Sequence, residues 1–185
     1  MTVDNAARAV AAFERTLVTP NSPYDRYVKG EKTALSKQQI RGMSTFADVG
    51  CTSCHSGAAF NGPQMPEGSG FFMKFPAFAD SAYVKKYDLL ADKGRADVTG
   101  NKADAYFFKV PTLRNVALTA PYFHNGRVDT LDEAVKVMAK TQLNIDLSKA
   151  QTDDMVAFLK ALSGEFPEIT LPRLPATEGW HIETE

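Results

Sequence analysis

The residues of this sequence that are best suited to chemistry are Cys51, Cys54 and His55, in the pentapeptide Cys-Thr-Ser-Cys-His. Two cysteines about one helical turn apart can each add a thiol to one vinyl group of haem, and an imidazole directly after them can ligate the iron. The pattern therefore predicts one covalently bound haem c, with thioether bonds from Cys51 and Cys54 and with His55 as an axial ligand of the iron.

Three other uses of a Cys-x-x-Cys pair fit the sequence less well. A structural zinc site needs four thiolates, or two thiolates with two imidazoles, and this chain has only two cysteines. A thioredoxin-type redox pair belongs to an alternating pattern of strands and helices, which the sequence does not show. A structural disulfide across so short a loop would be strained.

Composition and charge exclude further classes of protein. The 185 residues, 44% of them hydrophobic, suit one globular domain with or without an appendage. With 21 basic and 22 acidic side chains, neither nucleic acid nor an anionic membrane is the default partner. The sequence contains no run of about 18 apolar residues, so it predicts no transmembrane helix. Covalent haem attachment in bacteria takes place outside the cytoplasmic membrane, so we expect a periplasmic protein whose signal peptide was removed or lies outside this sequence.

Apolar residues at helical spacing predict a mostly α fold. The first predicted helix covers residues 4–17, with Asp4 as its cap. The second begins at a capping box formed by Ser36 and Gln39, and it delivers the chain to Cys51. The turn-forming residues of segment 19–25 predict a surface loop between these two helices.

Two more helices are predicted in the second half of the chain. One opens at a capping box formed by Thr130 and Glu133 and places Met138 on its buried side. The other begins at a capping box formed by Ser148 and Gln151. The long irregular segment 56–104 is expected to wrap the haem group with apolar side chains, for which five phenylalanines are available: Phe60, Phe71, Phe72, Phe75 and Phe78.

The residue patterns leave the second axial ligand of the iron open. Met65 and Met73 lie in the long loop, where many small cytochromes c carry the distal sulfur, and Met138 lies on a helix. Met43 and Met155 sit at core spacing in their helices, so both are expected to pack in the interior.

Two long stretches of mixed composition resemble a known family. The run FKVPTLRNVALTAPYFHNGRVDTLDEAVKVM, downstream of GCTSCHSG, closely resembles the C-terminal, electron-transfer domain of bacterial di-haem cytochrome c peroxidases. The opening ARAVAAFERTLVTPNSPYDRYVKG resembles the segment that enters this domain. The resemblance implies a cytochrome c-like single-haem domain with long haem-wrapping loops over residues 1–165, followed by an extended tail over residues 166–185.

The resemblance also implies roles for particular residues. Met138 occupies the place of the distal iron ligand of a high-potential haem. His124 and Arg114 fall near the haem edge, where they could contact the propionates, although a turn histidine and a surface cation are equally simple interpretations. Thr119 and Pro121 match backbone ligands of a calcium ion whose other ligands include one from a second domain, and a plain turn is the alternative.

A division of labour between two haem domains follows from the same resemblance. In the family, peroxide is reduced at a low-potential haem in an N-terminal domain, which is absent from this sequence. This chain would accept electrons from a small cytochrome c or copper protein and pass them to that haem, with no catalytic residue of its own. A homodimer is implied by the family alone.

Three other functions stay open at this point. The chain could be a free-standing mono-haem electron carrier, or a peroxidase in its own right if Met138 left the iron. It could also be similar to enzymes that share this architecture and oxidise tryptophan on a partner protein. Those enzymes have a tyrosine at the position of Met138, which counts against this alternative.

Overall fold

Helices dominate the structure, a computed structural model that describes residues 2–66 and 68–170. Residues 19–165 form one compact unit, and the described residues 2–18 and 166–170 belong to a second one. The predicted tail lies mostly outside the described residues, and the domain boundary at residue 165 stays a prediction.

The unit 19–165 contains six helices and one small sheet among its described residues. The helices are α2 (Pro23–Val28), α3 (Lys37–Asp48), α4 (Ala82–Lys86), α5 (Arg95–Thr99), α6 (Leu131–Leu143) and α7 (Lys149–Lys160). The strands β1 (Phe72–Lys74) and β2 (Phe107–Lys109) pair antiparallel, with Met73 opposite Phe108. The prediction of a mostly α fold is confirmed.

Two of the three predicted capping boxes are confirmed. Ser36 and Gln39 cap α3 reciprocally, and Ser148 and Gln151 do the same for α7. The prediction for α6 is wrong, because its N-cap residue Thr130 makes no side-chain capping hydrogen bond. Glu133 instead accepts hydrogen bonds from the Tyr87 hydroxyl at 2.6 Å and from the ammonium group of Lys86, on α4, at 2.9 Å.

The prediction of a plain surface loop over segment 19–25 is also wrong, since helix α2 begins inside it. Ser22 and Asp25 form a reciprocal capping box, and Pro23 occupies the first helical turn, where its missing N–H costs nothing. Ser22 is fully buried. The pattern Ser-x-x-Asp with proline after the serine was the available signal for this helix.

Helices α3 and α7 cross at close range, and Gly42 of α3 is the residue that permits it. A Cβ atom at this position would lie 1.9 Å from the backbone oxygen of Asp154 on α7. Around this crossing lies a first core, and α6 supplies Val135 to it. The members of the first core are Phe46, Phe60, Val135, Met155, Phe158, Leu159 and Leu162.

A second core lies on the other side of α6. Its buried members are Phe75, Val84, Leu89, Tyr122, Val128, Ala134 and Val137. The long segment 56–104 supplies side chains to both cores: Phe60 packs in the first core and Phe75 in the second, whereas Phe78 is 39% exposed. Segment 56–104 is therefore less irregular than predicted, because it contains β1, α4 and α5.

The second unit contains helix α1 (Val3–Glu14). Its N-cap is Thr2, whose hydroxyl accepts from the backbone N–H of Asn5 at 3.2 Å, so the prediction of Asp4 as the cap is wrong. No residue of α1 is buried. Across the described part of the chain, every helix falls short of the length and apolar character that crossing a membrane requires.

Candidate haem site

The pentapeptide follows α3 after a sharp change of backbone direction. Gly50 has φ +94°, a left-handed conformation that glycine adopts without strain, and a single 3₁₀ turn follows over Cys51–Ser53. The carbonyl of Cys51 then accepts from the backbone N–H of Cys54 at 3.3 Å and of His55 at 2.9 Å. This turn brings the two cysteines and the histidine close together on one short segment.

His55 is oriented by a backbone carbonyl. Its Nδ1 lies 3.1 Å from the oxygen of Phe60, and because a carbonyl can only accept, Nδ1 carries the proton. The other ring nitrogen, Nε2, is then the one with a free lone pair, as a metal ligand requires. Burial lowers the pKa of His55, which favours the neutral imidazole that can bind a metal.

The two cysteines are free thiols with different surroundings. Cys51 packs against the first core, and burial raises the pKa of its thiol to about 11. Cys54 lines the cavity described below. Both cysteines are partly exposed, and one thiol lies against packed side chains while the other lies beside the cavity.

A cavity of about 440 Å³ lies beside His55. Most of its wall is apolar, and it draws residues from the long loop, from both strands, from segment 110–124 and from α6. Its lining includes Cys54, His55, Met73, Phe75, Phe108, Val110, Leu113, Val116, Tyr122, Phe123, His124, Met138 and Gln142. A large apolar cavity with a few polar groups is the typical form of a cofactor site.

The cavity separates the methionines into three groups. Met138 from α6 and Met73 from β1 both line it. Met43 and Met155 pack in the first core, as expected from their spacing. Met65 does not line the cavity and is 40% exposed, so two of the three loop and helix candidates are brought near His55.

His124 also lines the cavity, between two aromatic rings. Its imidazole stacks on Phe108 at a centroid distance of 4.4 Å and meets the edge of Phe75 at 6.1 Å. Its Nε2 atom is buried and has no hydrogen-bond partner among the described residues. Burial lowers the pKa of His124, although the charge of Asp92 opposes this effect.

Gln142 is a cavity residue that our sequence reasoning missed. Its Nε2 donates to the backbone oxygen of Lys74 at 3.0 Å, while its Oε1 is buried without a partner in the described part of the chain. The available signal was its spacing, because residue 142 lies four positions after Met138 and so shares its face of the helix.

Arg114 does not line the cavity. Its Nη2 pairs with the carboxylate of Asp25 at 2.8 Å, its Nη1 donates to the Ser22 hydroxyl at 3.1 Å, and its Nε donates to the carbonyl of Ala58 at 2.9 Å. The guanidinium carbon also lies 5.4 Å from the ring centre of Tyr24. These contacts tie α2 to the loop after the pentapeptide, and propionate binding by Arg114 stays a prediction that competes with them.

Thr119 and Pro121 lie at the cavity wall, on either side of a cis peptide bond between Ala120 and Pro121. The Thr119 hydroxyl donates to the carbonyl of Val116 at 3.1 Å. In the described residues, no group of three or more His, Cys, Asp or Glu side chains could hold a metal ion. Calcium binding through backbone carbonyls is a different arrangement, and it stays a prediction.

The cavity fits a haem group on three counts. Cys54 and the candidate ligands His55 and Met138 share its wall, the wall is mainly apolar, and its size suits a cofactor. The described residues contain two buried side-chain polar atoms without a partner, His124 Nε2 and Gln142 Oε1, and both residues line this cavity. Since an unpaired buried polar atom is costly, a carboxylate of a bound cofactor is a natural partner for an N–H at His124 Nε2.

The helical fold, the Cys-x-x-Cys-His turn and this cavity define a c-type haem protein. A family model described as di-haem cytochrome c peroxidase matches residues 1–33. Cytochrome c551 peroxidase of Nitrosomonas europaea is 42% identical over 175 residues, which are 95% of this chain and 49% of that protein. Cytochrome c551 peroxidase of Pseudomonas aeruginosa is 43% identical over 178 residues, or 94% of this chain and 48% of that protein.

A solved structure supports the same relationship. The crystal structure of a MauG-like protein associated with microbial copper homeostasis matches with a TM-score of 0.63 and 26% identity, covering 78% of this chain and 49% of that one. Together these matches cover about 90% of this chain and fit the C-terminal domain of a di-haem cytochrome c peroxidase. It spans about half the length of the curated relatives named above.

Proposed function

We propose that this chain is the electron-transfer domain of a di-haem peroxidase. It would accept single electrons from a small soluble donor, a cytochrome c or a copper protein, and pass them to a peroxidatic haem in an N-terminal domain, where hydrogen peroxide is reduced to water. The observation that carries this proposal is the shared cavity wall of His55 and Met138. The periplasm is the expected location, since haem c attachment takes place there.

Each residue of the pentapeptide has a defined task in this proposal. Cys51 and Cys54 would hold the haem through thioethers, and the Nε2 atom of His55 would ligate the iron because Nδ1 is committed to the carbonyl of Phe60. Met138 would supply a thioether as the other ligand of the iron. When bound in this way, the haem group supplies one-electron redox chemistry at a raised potential, because a soft thioether favours ferrous iron.

A methionine ligand also determines what the site cannot do. If His55 and Met138 both ligated the iron, no coordination position would be open for peroxide. The apolar wall limits access of water, which keeps the reorganisation needed for electron transfer small and the potential high. We therefore expect this chain alone to transfer electrons without turning over peroxide.

His124 is the residue that we propose for the haem propionates. Its buried, unpartnered Nε2 is positioned by stacking on Phe108, and as an N–H group it would donate to a carboxylate. Arg114 would contribute only if it exchanged one of its present protein partners. Calcium bound by carbonyls of Thr119 and Pro121 would need oxygens from another domain, because calcium takes about six to eight ligands.

Optical spectroscopy of the oxidised protein with its attached haem tests the axial ligand directly. The unmutated chain should show the weak long-wavelength band of an iron–thioether bond. Met138→His should abolish this band and lower the reduction potential, because imidazole donates more strongly to ferric iron.

The matched control is Met73→Leu, since Met73 lines the same cavity from β1. This variant should keep the long-wavelength band. If Met73→Leu loses the band and Met138→His keeps it, the ligand assignment is wrong and the distal sulfur comes from β1.

A free-standing mono-haem carrier is the second candidate. It is supported by the fact that residues 19–165 hold the whole cavity lining within one unit. Titration of the reduced chain with a separately expressed N-terminal domain distinguishes the two functions: rapid, saturable oxidation of the chain in the presence of peroxide supports the peroxidase domain. Absence of binding and of electron transfer supports the carrier.

Sedimentation of the chain alone tests the dimer that the family implies.

A further inference from the structure

Gln142 carries an unexplained feature, a buried amide oxygen that has no hydrogen-bond partner among the described residues. Leaving such an acceptor unpaired destabilises the folded protein, so a buried group of this kind needs an explanation. Gln142 lines the same cavity as His55 and Met138. The unpaired acceptor therefore belongs to a residue in the wall of the proposed haem site.

The orientation of the Gln142 amide is fixed by the sheet. Its Nε2 donates to the backbone oxygen of Lys74 at 3.0 Å, and a carbonyl oxygen can only accept, so the nitrogen and not the oxygen must face β1. The same hydrogen bond links α6, which carries Met138, to the strand that carries Met73. The Oε1 atom is thereby held away from Lys74.

Helix geometry brings the amide near the proposed ligand. Residues four apart lie on the same face of a helix, and their side chains lean towards the N-terminus of the helix. The side chain of Gln142 therefore extends along α6 towards the turn that carries Met138. In a mainly apolar cavity, the partial negative charge of an amide oxygen acts with little screening from water.

We propose that Gln142 is a positioning residue that lowers the reduction potential of the haem by directing its amide oxygen at the distal side of the cavity. This inference rests on the proposed function. A fixed negative partial charge stabilises the oxidised iron, which carries one more positive charge than the reduced iron. The hydrogen bond to Lys74 keeps the amide from turning its positive end inwards.

Two variants separate this electrostatic role from a structural one. Gln142→Leu removes the oxygen together with the hydrogen bond to Lys74. Gln142→Glu has the same shape, and at a pH that ionises the new carboxyl it loses the same hydrogen bond while it increases the negative charge. A merely structural role would shift the potential of both variants in the same direction, whereas our proposal requires opposite directions.

The measurement is a redox titration of the 185-residue chain with its haem attached, followed through the optical spectrum. At a fixed mediator potential, we expect Gln142→Leu to raise the ratio of reduced to oxidised haem about tenfold. This corresponds to a reduction potential higher by about 59 mV for a one-electron couple. Gln142→Glu should favour the oxidised form by at least as much. The exposed Gln64→Leu is the control and should leave the potential unchanged.

The outcomes are distinguishable from failure of the proposed function. If the unmutated chain lacks the iron–thioether band, the ligand assignment itself has failed. If that band is present and both variants move the potential in the same direction, or neither moves it, the role of Gln142 is overturned. Should Gln142→Leu fail to fold, the potential of the isosteric Gln142→Glu decides alone, because an unchanged or raised value contradicts the proposal.

Discussion

The close crossing of α3 and α7 makes Gly42→Ala a sensitive probe of the fold. An added Cβ would lie 1.9 Å from the backbone oxygen of Asp154 and 2.9 Å from the Cβ of Phe158. Carbon and oxygen normally approach to no less than about 3.3 Å, so the helices would have to separate by about 1.4 Å. Neither neighbour is the flexible end of a side chain, and the strain must therefore be taken up by the packing of the first core.

The expected loss of stability is the difference between two effects. Overpacking a core costs about 1–3 kcal/mol, and a clash with backbone belongs at the upper end of that range. Alanine returns about 1 kcal/mol through its higher helix propensity. We expect Gly42→Ala to lower the free energy of unfolding by about 2 kcal/mol, which for a chain of this size lowers Tm by about 4–8 °C.

Thermal unfolding followed by circular dichroism measures this loss on the protein with its haem attached. Ser44→Ala, on the exposed side of the same helix, is the matched control and should raise or preserve Tm. A Gly42→Ala variant that is as stable as the unmutated chain would refute the close crossing, because helix propensity would then be the larger effect.

Two further predictions concern polar contacts. Burial alone would raise the pKa of Asp25, but hydrogen bonds from Ser22 and Arg114 outweigh it and lower the pKa below its usual 3.8, so the native state binds fewer protons than the unfolded state. The stability that Asp25 contributes is therefore present above about pH 4 and is lost as the pH falls through the lowered pKa. Asp25→Asn should flatten this acid part of the plot of the free energy of unfolding, measured in urea, against pH. Tyr87→Phe removes the 2.6 Å hydrogen bond to Glu133 and should lower the free energy of unfolding by about 1–2 kcal/mol in urea titrations.

Matched controls exist for both changes. Asp129 is an exposed carboxylate, so Asp129→Asn should leave the acid limb of the stability profile as it is. Tyr83 stacks on Tyr87 at 6.2 Å, and Tyr83→Phe keeps this ring contact. An Asp25→Asn profile parallel to that of the unmutated chain, or equal stability of the two tyrosine variants, would contradict the respective contact.

Local signals predicted the helices well because each depends on neighbouring residues. The boxes at Ser36 and at Ser148 require only a partner three residues away, and both form. The box at Thr130 failed for a non-local reason, since Glu133 is taken by Tyr87 from a segment 46 residues earlier. A capping pattern says which hydrogen bonds are possible, whereas the tertiary packing decides which of them form.

Packing partners were less predictable for the same reason. Ala47 of α3 is apolar yet exposed, and the residue that meets α7 is Gly42. Glycine carries no hydrophobic signal, so periodicity cannot identify a close approach of two backbones. Likewise, nothing in the sequence pattern alone indicated that Gln142 would reach the backbone of β1.

Sequence patterns constrain the candidate site most strongly where covalent chemistry imposes the spacing. Cys51, Cys54 and His55 are defined by a pattern five residues long, whereas the distal methionine depends on which distant segments meet. Residue patterns left Met65, Met73 and Met138 open, and the cavity retains Met73 and Met138. The choice between these two came from the resemblance to the family, not from periodicity.

Helix α6 couples the stability of the domain to the properties of its proposed haem. Val135 packs in the first core, Ala134 and Val137 pack in the second, and Met138 follows on the cavity wall. Because adjacent turns of one helix serve all three, a core substitution on α6 should weaken iron–thioether ligation before it unfolds the chain. Val137→Ala should then lose the long-wavelength band at a lower temperature than its helical circular dichroism signal. The interval between these two temperatures should be wider than in the unmutated protein. If the interval between these two temperatures is the same in Val137→Ala as in the unmutated protein, the ligand and the cores are not coupled through α6.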